Sequence, residues 1–207
     1  VYEIVWVRLL NQVLGTTLHS FELMLAAFIL GLAAGALWIH KRGERITDVL
    51  RYAGYAQVLM GISALLSVVV FAHSFGFSAW MASSLPRTDT GYLWFNLGCA
   101  LLSLLVMFPA AFFAGMTLPL FTTYLLRSGH GETSVGRVYA ANTVGAIIGV
   151  MAVVHVMVPA IGLHLSLLLA AVADVLLGFV LLHWLAATPN GRRLQWLALG
   201  SAASLVI

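Results

Sequence analysis

HLSLLLAAVADVLLGFVLLHWL, residues 164–185, runs for 22 positions with one formal charge, Asp174. At a rise of about 1.5 Å per residue it makes a helix about 33 Å long, enough to cross a hydrocarbon core about 30 Å thick. Immediately upstream, Pro159-Ala160-Ile161-Gly162 predicts a tight turn, and the apolar residues 138–158 before it predict the other arm of a hairpin. Residues 92–126 are apolar for too long to be one simple span; Pro109 and Pro119 each remove a backbone donor, which predicts a long helix broken at the prolines. Residues 52–75 and 20–39 complete the series toward the start. Between two of these spans, residues 76–91 contain Trp80, Pro86, Arg87 and Asp89 and read as an interfacial loop or short surface helix. Residues 1–14 and 194–207 each read as part of a span, too short to cross alone. The expected fold is all-α: a polytopic transmembrane bundle of about six to seven spans, one domain over residues 1–207.

Composition agrees. The chain is 62% hydrophobic and 8% charged, against about 25% charged in a soluble domain, so the lipid bilayer is its expected solvent and first partner. The net charge of +3 does not indicate nucleic acid, because no basic stripe interleaved with aromatics occurs. Basic residues are instead sorted by side. Lys41, Arg42, Arg45, Arg51, Arg127, Arg137, Arg192 and Arg193 fall on one side of alternating spans, and Arg8 and Arg87 toward the other. That asymmetry places loops 40–51, 127–137 and 188–193 in the cytoplasm, with a bacterial inner membrane as the expected location. One cysteine, Cys99, lies in an apolar run and allows no internal disulfide.

Polar groups inside spans are the functional candidates, since an Asp at a helix centre costs about 2.5 to 3.5 kcal/mol on insertion scales. Asp174 is the deepest; it reads either as an interhelical hydrogen-bonding group or as a proton or cation site. Glu3 and Arg8 stand five apart with opposite sign, which is not an ideal helical pair. His19 and Glu22, three apart, share a face near the outer boundary, but two ligands do not make a metal site. Gly31 and Gly35, and again Gly145 and Gly149, put glycines one turn apart and invite close helix packing. The loop Gly129-His130-Gly131-Glu132 lacks the strand and spacing of a phosphate cradle. Haem ligation by His73, His155, His164 or His183 would need two of them at one depth on facing helices; interfacial placement is the simpler reading. No metal and no cofactor is expected in this chain.

Several stretches resemble the membrane region of the spermidine-synthase-like (polyamine aminopropyltransferase-like) membrane proteins: Tyr2-Glu3-Ile4-Val5-Trp6-Val7-Arg8, residues 25–35, residues 109–119 with Gly115-Met116-Thr117-Leu118-Pro119, and Val135-Gly136-Arg137-Val138-Tyr139-Ala140-Ala141-Asn142-Thr143. The last is the most specific, with Arg137, Tyr139 and Asn142 as the matching motif positions. The resemblance implies a major-facilitator-like half that in the family is joined to a cytosolic Rossmann-like aminopropyltransferase domain. No residues here match that catalytic half, and His19 and Glu22 depart from the family pattern.

The leading functional expectation is a noncatalytic membrane module of a spermidine-synthase-like protein, an anchor or accessory subunit packing against other membrane subunits or a second copy. A second is half of a carrier for a polyamine or other small cation, with Asp174 and Glu22 as amine ligands. A third is the membrane part of an aminopropyltransferase whose catalytic domain lies outside these residues.

Overall fold

The computed structural model describes residues 1–15, 17–129, 131 and 133–185. They are helical almost throughout: α1 (Tyr2–Leu14), α2 (Leu18–Arg42), α3 (Val49–Ser84), α4 (Asp89–Arg127), α5 (Thr133–Ala152) and α6 (Val158–Val180). Single π-helical stretches, Val153–Met157 and Leu181–Leu185, follow α5 and α6. Short polar side chains start the long helices. Thr17 accepts from the Ser20 amide, Asp48 from the Arg51 amide and Thr88 from the Gly91 amide, each satisfying a donor that the first turn leaves open.

Among the described residues four helices, not six to seven, are long and apolar enough to cross a membrane: Leu18–Arg45, Val49–Ser84, Asp89–Arg127 and Val135–His183. The chain is therefore an integral membrane protein in contact with the lipid bilayer. Two things reduce the expected number. α1, at 13 residues, is about 20 Å of helix, less than the hydrocarbon thickness, and packs against α3 and α6. The expected arms 138–158 and 164–185 fall within one helical stretch of 49 residues that turns back at Gly162, α5 leaving the basic end and α6 returning to it. The expected span 194–207 and the loop 188–193 lie outside the described residues.

Residues 76–84 continue α3 rather than forming a surface loop, so α3 and α4 are joined by residues 85–88 alone. Pro109 and Pro119 both lie inside an α4 that stays helical over 39 residues. Helices of this length, about 55 to 60 Å for α3 and α4, exceed the hydrocarbon thickness and carry Trp80, Tyr92 and Trp94 on their exposed outer ends, where amphipathic rings suit the headgroup layer.

Side-chain contacts fix the directions. Trp6 donates from Nε1 to Ser67 Oγ at 2.9 Å, and Ser78 donates to the Val13 carbonyl at 3.0 Å, so α1 runs parallel to α3. α6 runs antiparallel to α3: Gly54 faces Leu182, Gly61 faces Ala171 and Val175, and Phe71 meets the His164 ring at 5.7 Å. α2 and α4 run parallel, with Gly31 against Phe108 and Ala111 and Gly35 against Phe112 and Met116. All helix ends carrying Lys41, Arg42, Arg51, Arg127 and Arg137 therefore meet at one end of the bundle, the basic end. There Arg127 donates to the carbonyls of Ile46 (2.5 Å) and Gly43 (2.8 Å), holding the α2–α3 connection against α4.

The packing is that of a protein dissolved in lipid. Leu18, Ile29, Leu37, Leu66, Ile147 and Ile148 are exposed, whereas Gln57, Ser67, Ser103, Ser166 and Asp174 are buried. Buried hydroxyls are satisfied within their own helices: Ser74 donates to Phe71 O, Ser103 to Cys99 O and Ser166 to Gly162 O, at 2.6 to 2.8 Å. A core of Val5, Trp6, Leu9, Leu10, Met24, Met107 and Leu167 forms around α1.

The turn predicted at residues 159–162 is made by Gly162 itself, at φ 79° and ψ 174°. Beyond it the two arms part. α5 lies on α4, and α6 lies on α3 and α1, so the arms of the expected hairpin run in opposite directions but pack on other helices. That backbone region is essentially restricted to glycine, so Gly162→Ala is expected to destabilise by about 1 to 3 kcal/mol, read as a lower melting temperature in detergent. An unchanged melt would mean that the bend does not depend on this conformation.

Candidate functional site

Two polar features lie in the half of the bundle nearer the basic end. The first is a clamp. Asp174, 2% exposed on α6, accepts through Oδ2 from the Tyr2 hydroxyl of α1 and through Oδ1 from Gln57 Nε2 of α3 at 2.7 Å. Tyr2 stacks on Trp6, with ring centroids 5.1 Å apart, and Trp6 in turn reaches Ser67. One carboxyl thus ties three helices at a depth where water offers no alternative partner. Gln57 Oε1 is buried with no hydrogen bond among the described residues; its amide is turned so that the donor faces Asp174.

The second feature is a cleft of about 520 Å³ walled by α1, α2, α4 and α5. Helical spacing explains its walls. Phe28, Leu32 and Ala36 stand four apart on α2, and Tyr139, Asn142, Ala146 and Val150 stand three or four apart on α5, so each set forms one face. α4 contributes Ala110, Ala114 and Thr117, small enough to leave the space open, and α1 contributes Glu3, which is exposed. Thr117 donates its hydroxyl to Ala114 O at 2.6 Å. Most of the wall is apolar; its polar side chains are those of Glu3, Thr117, Asn142, Tyr2, Tyr139 and Trp6.

The sequence candidates are distributed unevenly over these features. Asp174 is in the clamp. Glu3, Tyr139 and Asn142 meet at the cleft although they are far apart in the chain; Arg137 is exposed near the start of α5, outside the cleft lining, and Arg8 is exposed on α1. His19 and Glu22 pair with each other at 3.4 Å, both exposed, on the first turns of α2 at the end opposite the basic one. Glu22 and Asp174 therefore do not share a site. Gly31 and Gly35 are buried against α4, and Gly145 and Gly149 are buried on α5. Among the described residues no three His, Cys, Asp or Glu side chains converge. Tyr2 and Gln57 were not singled out from the sequence. A glutamine inside an apolar run was the available signal for Gln57, but its partner lies 117 residues away.

Comparison with family models, curated proteins and solved structures returns no match.

Proposed function

We propose that this chain is a noncatalytic membrane module of a spermidine-synthase-like protein, an anchor or accessory subunit with its basic end toward the cytoplasm, in a bacterial inner membrane. The observation that carries the reading is the clamp: the deepest acid in the spans has both oxygens engaged by Tyr2 and Gln57, which is how a carboxyl acts when it orders helices. The same engagement weighs against a carrier in which Asp174 binds a travelling amine, since any such ligand must first displace two internal donors. The sorting of Arg and Lys to one end supports the orientation. An anchor needs something to hold, either a domain on the same polypeptide or a separate subunit.

The test is the composition of the native particle, extracted from its source membrane in a mild neutral detergent and weighed intact. A soluble catalytic domain on the same polypeptide, or a companion present in fixed stoichiometry, is the expected result. A particle containing only the 22.3 kDa chain overturns the proposal.

A further inference from the structure

We propose that the basic end of the bundle, where α2 meets α3, binds one anionic phospholipid, with the Arg42 guanidinium, stacked on Trp38, taking its phosphate. The assignment stands apart from the anchoring role, because it concerns the lipid at this end and not what the chain holds. Its first support is the setting of Arg42. The guanidinium carbon lies 3.6 Å from the Trp38 ring centroid. That ring is itself fixed: its Nε1 donates to the Tyr52 hydroxyl at 3.2 Å, and it meets Phe112 edge to face with centroids 6.0 Å apart. A guanidinium held by its face keeps its N–H fork unspent, and the planar fork matches two oxygens of a phosphate. Among the described residues no carboxylate pairs with it.

The charges around Arg42 select the sign of the ligand. Residues 40–51 carry Lys41, Arg42, Arg45 and Arg51 against Glu44 and Asp48. Asp48 is already engaged, with Oδ2 at 3.2 Å from Arg51 Nε and Oδ1 accepting from the Arg51 amide at 3.1 Å. Arg127 is spent on the carbonyls of Gly43 and Ile46. Lys41, Arg42 and Arg45 are exposed, and among the described residues none of them has an acid partner. In this stretch Glu44 alone is left to offset these three cations. A zwitterionic headgroup brings a further cation to that surplus, whereas an anionic one neutralises it.

Position makes the ligand a lipid and not a free phosphate. Trp38 and Tyr52 join one helical turn inside Arg42 and Asp48, and such amphipathic rings sit at the headgroup layer. From that level inward the exposed surface is apolar. On α3, Arg51, Tyr55, Leu59, Ile62 and Leu66 stand three or four apart on one exposed face, running from a cation through a phenol into aliphatic side chains. On α2, Leu37 and Leu30 are likewise exposed. A phosphate at this end therefore has lipid-facing helix below it for acyl chains, which a soluble phosphate would leave bare.

The experiment uses the full-length protein, purified in a neutral maltoside and stripped of lipid. It is titrated with dioleoyl phosphatidylglycerol or dioleoyl phosphatidylcholine, and complexes are counted by intact mass. One phosphatidylglycerol per chain is expected, held at least about fivefold more tightly than phosphatidylcholine. Arg42→Gln is expected to erase that preference and Trp38→Leu to weaken it, while Arg42→Lys, which keeps the charge without the fork, falls between parent and Arg42→Gln. Arg87→Gln, at the opposite end of the bundle, binds as the parent does, and millimolar inorganic phosphate leaves the lipid in place. Melting curves establish that each variant is folded. The proposal is overturned if the folded parent holds the two lipids equally, or if folded Arg42→Gln or Trp38→Leu keeps the preference in full. It is overturned equally if Arg87→Gln loses the preference, or if inorganic phosphate displaces the lipid as effectively as excess phosphatidylglycerol.

Discussion

Gly35→Val is expected to leave little or no folded protein, with the midpoint of thermal unfolding lowered by the equivalent of about 3 kcal/mol or more. The reason is backbone contact. A Cβ at Gly35 would fall far inside van der Waals contact distance of the Phe112 carbonyl oxygen, and one at Gly115 far inside that of the Leu32 carbonyl oxygen. The two glycines therefore receive each other's helix at one crossing, where neither neighbour is a flexible side chain that could swing away. Relief requires α2 and α4 to separate, which opens the wall that also carries Gly31, whose Cβ would meet Ala111 at 2.7 Å. In lipid no hydrophobic force pulls the helices back together, since tails and leucines are equally apolar; close packing is most of what holds them. Cys99, the one cysteine and 1% exposed, reports the transition through its reaction with a maleimide during heating. Gly115→Val is expected to behave alike, and Gly76→Ala, where nothing lies within 4 Å, is expected to melt as the parent does. Parent-like melting of Gly35→Val would mean that α2 and α4 are not in contact as described.

The second large effect is at the clamp. Asp174→Ala removes the acceptor shared by Tyr2 and Gln57 and leaves two buried donors with nothing to bond, at an expected cost of about 2 to 4 kcal/mol. Asp174→Asn keeps the shape and can still accept from Tyr2, but its amide donor then faces the Gln57 amide unless that side chain flips. Flipping is available, because Gln57 Oε1 is unoccupied among the described residues, so Asp174→Asn is expected to lose less than half as much as Asp174→Ala. A double-mutant cycle of Tyr2→Phe with Asp174→Asn measures the remaining coupling, expected at about 1 to 2 kcal/mol. Additive losses in that cycle, together with an Asp174→Ala melt equal to the parent, would remove the clamp as a reason for the fold and with it the observation behind the anchoring role.

What the residues determine by themselves is the solvent and the helices. An 8% charged chain with runs of 20 or more apolar positions has lipid as its environment, and in lipid the backbone must satisfy itself within each segment, so helix follows from hydropathy alone. The glycine pair Gly31 and Gly35 was legible as a packing face for the same local reason, since spacing along a helix sets which residues share a side. Gly162 marked the turn because positive φ is a property of single residues.

Tertiary structure decided everything that depends on which face meets which neighbour. Whether 76–84 forms a loop or extends α3 depends on the packing of residues such as Met81 against Gly98, which composition does not carry. The two arms around Gly162 read as a hairpin because they are adjacent in sequence, and they do run in opposite directions, yet α6 packs on Gly54 and Gly61 of α3 and α5 on α4. Asp174 could be read as a ligand site or a helix tie until Tyr2 and Gln57, 172 and 117 residues away, were seen to occupy it. Glu3 looked like half of an imperfect pair with Arg8 and instead shares a cleft with Tyr139 and Asn142. Burial and pairing are relations between distant segments, and a one-dimensional pattern records only what each segment brings to them.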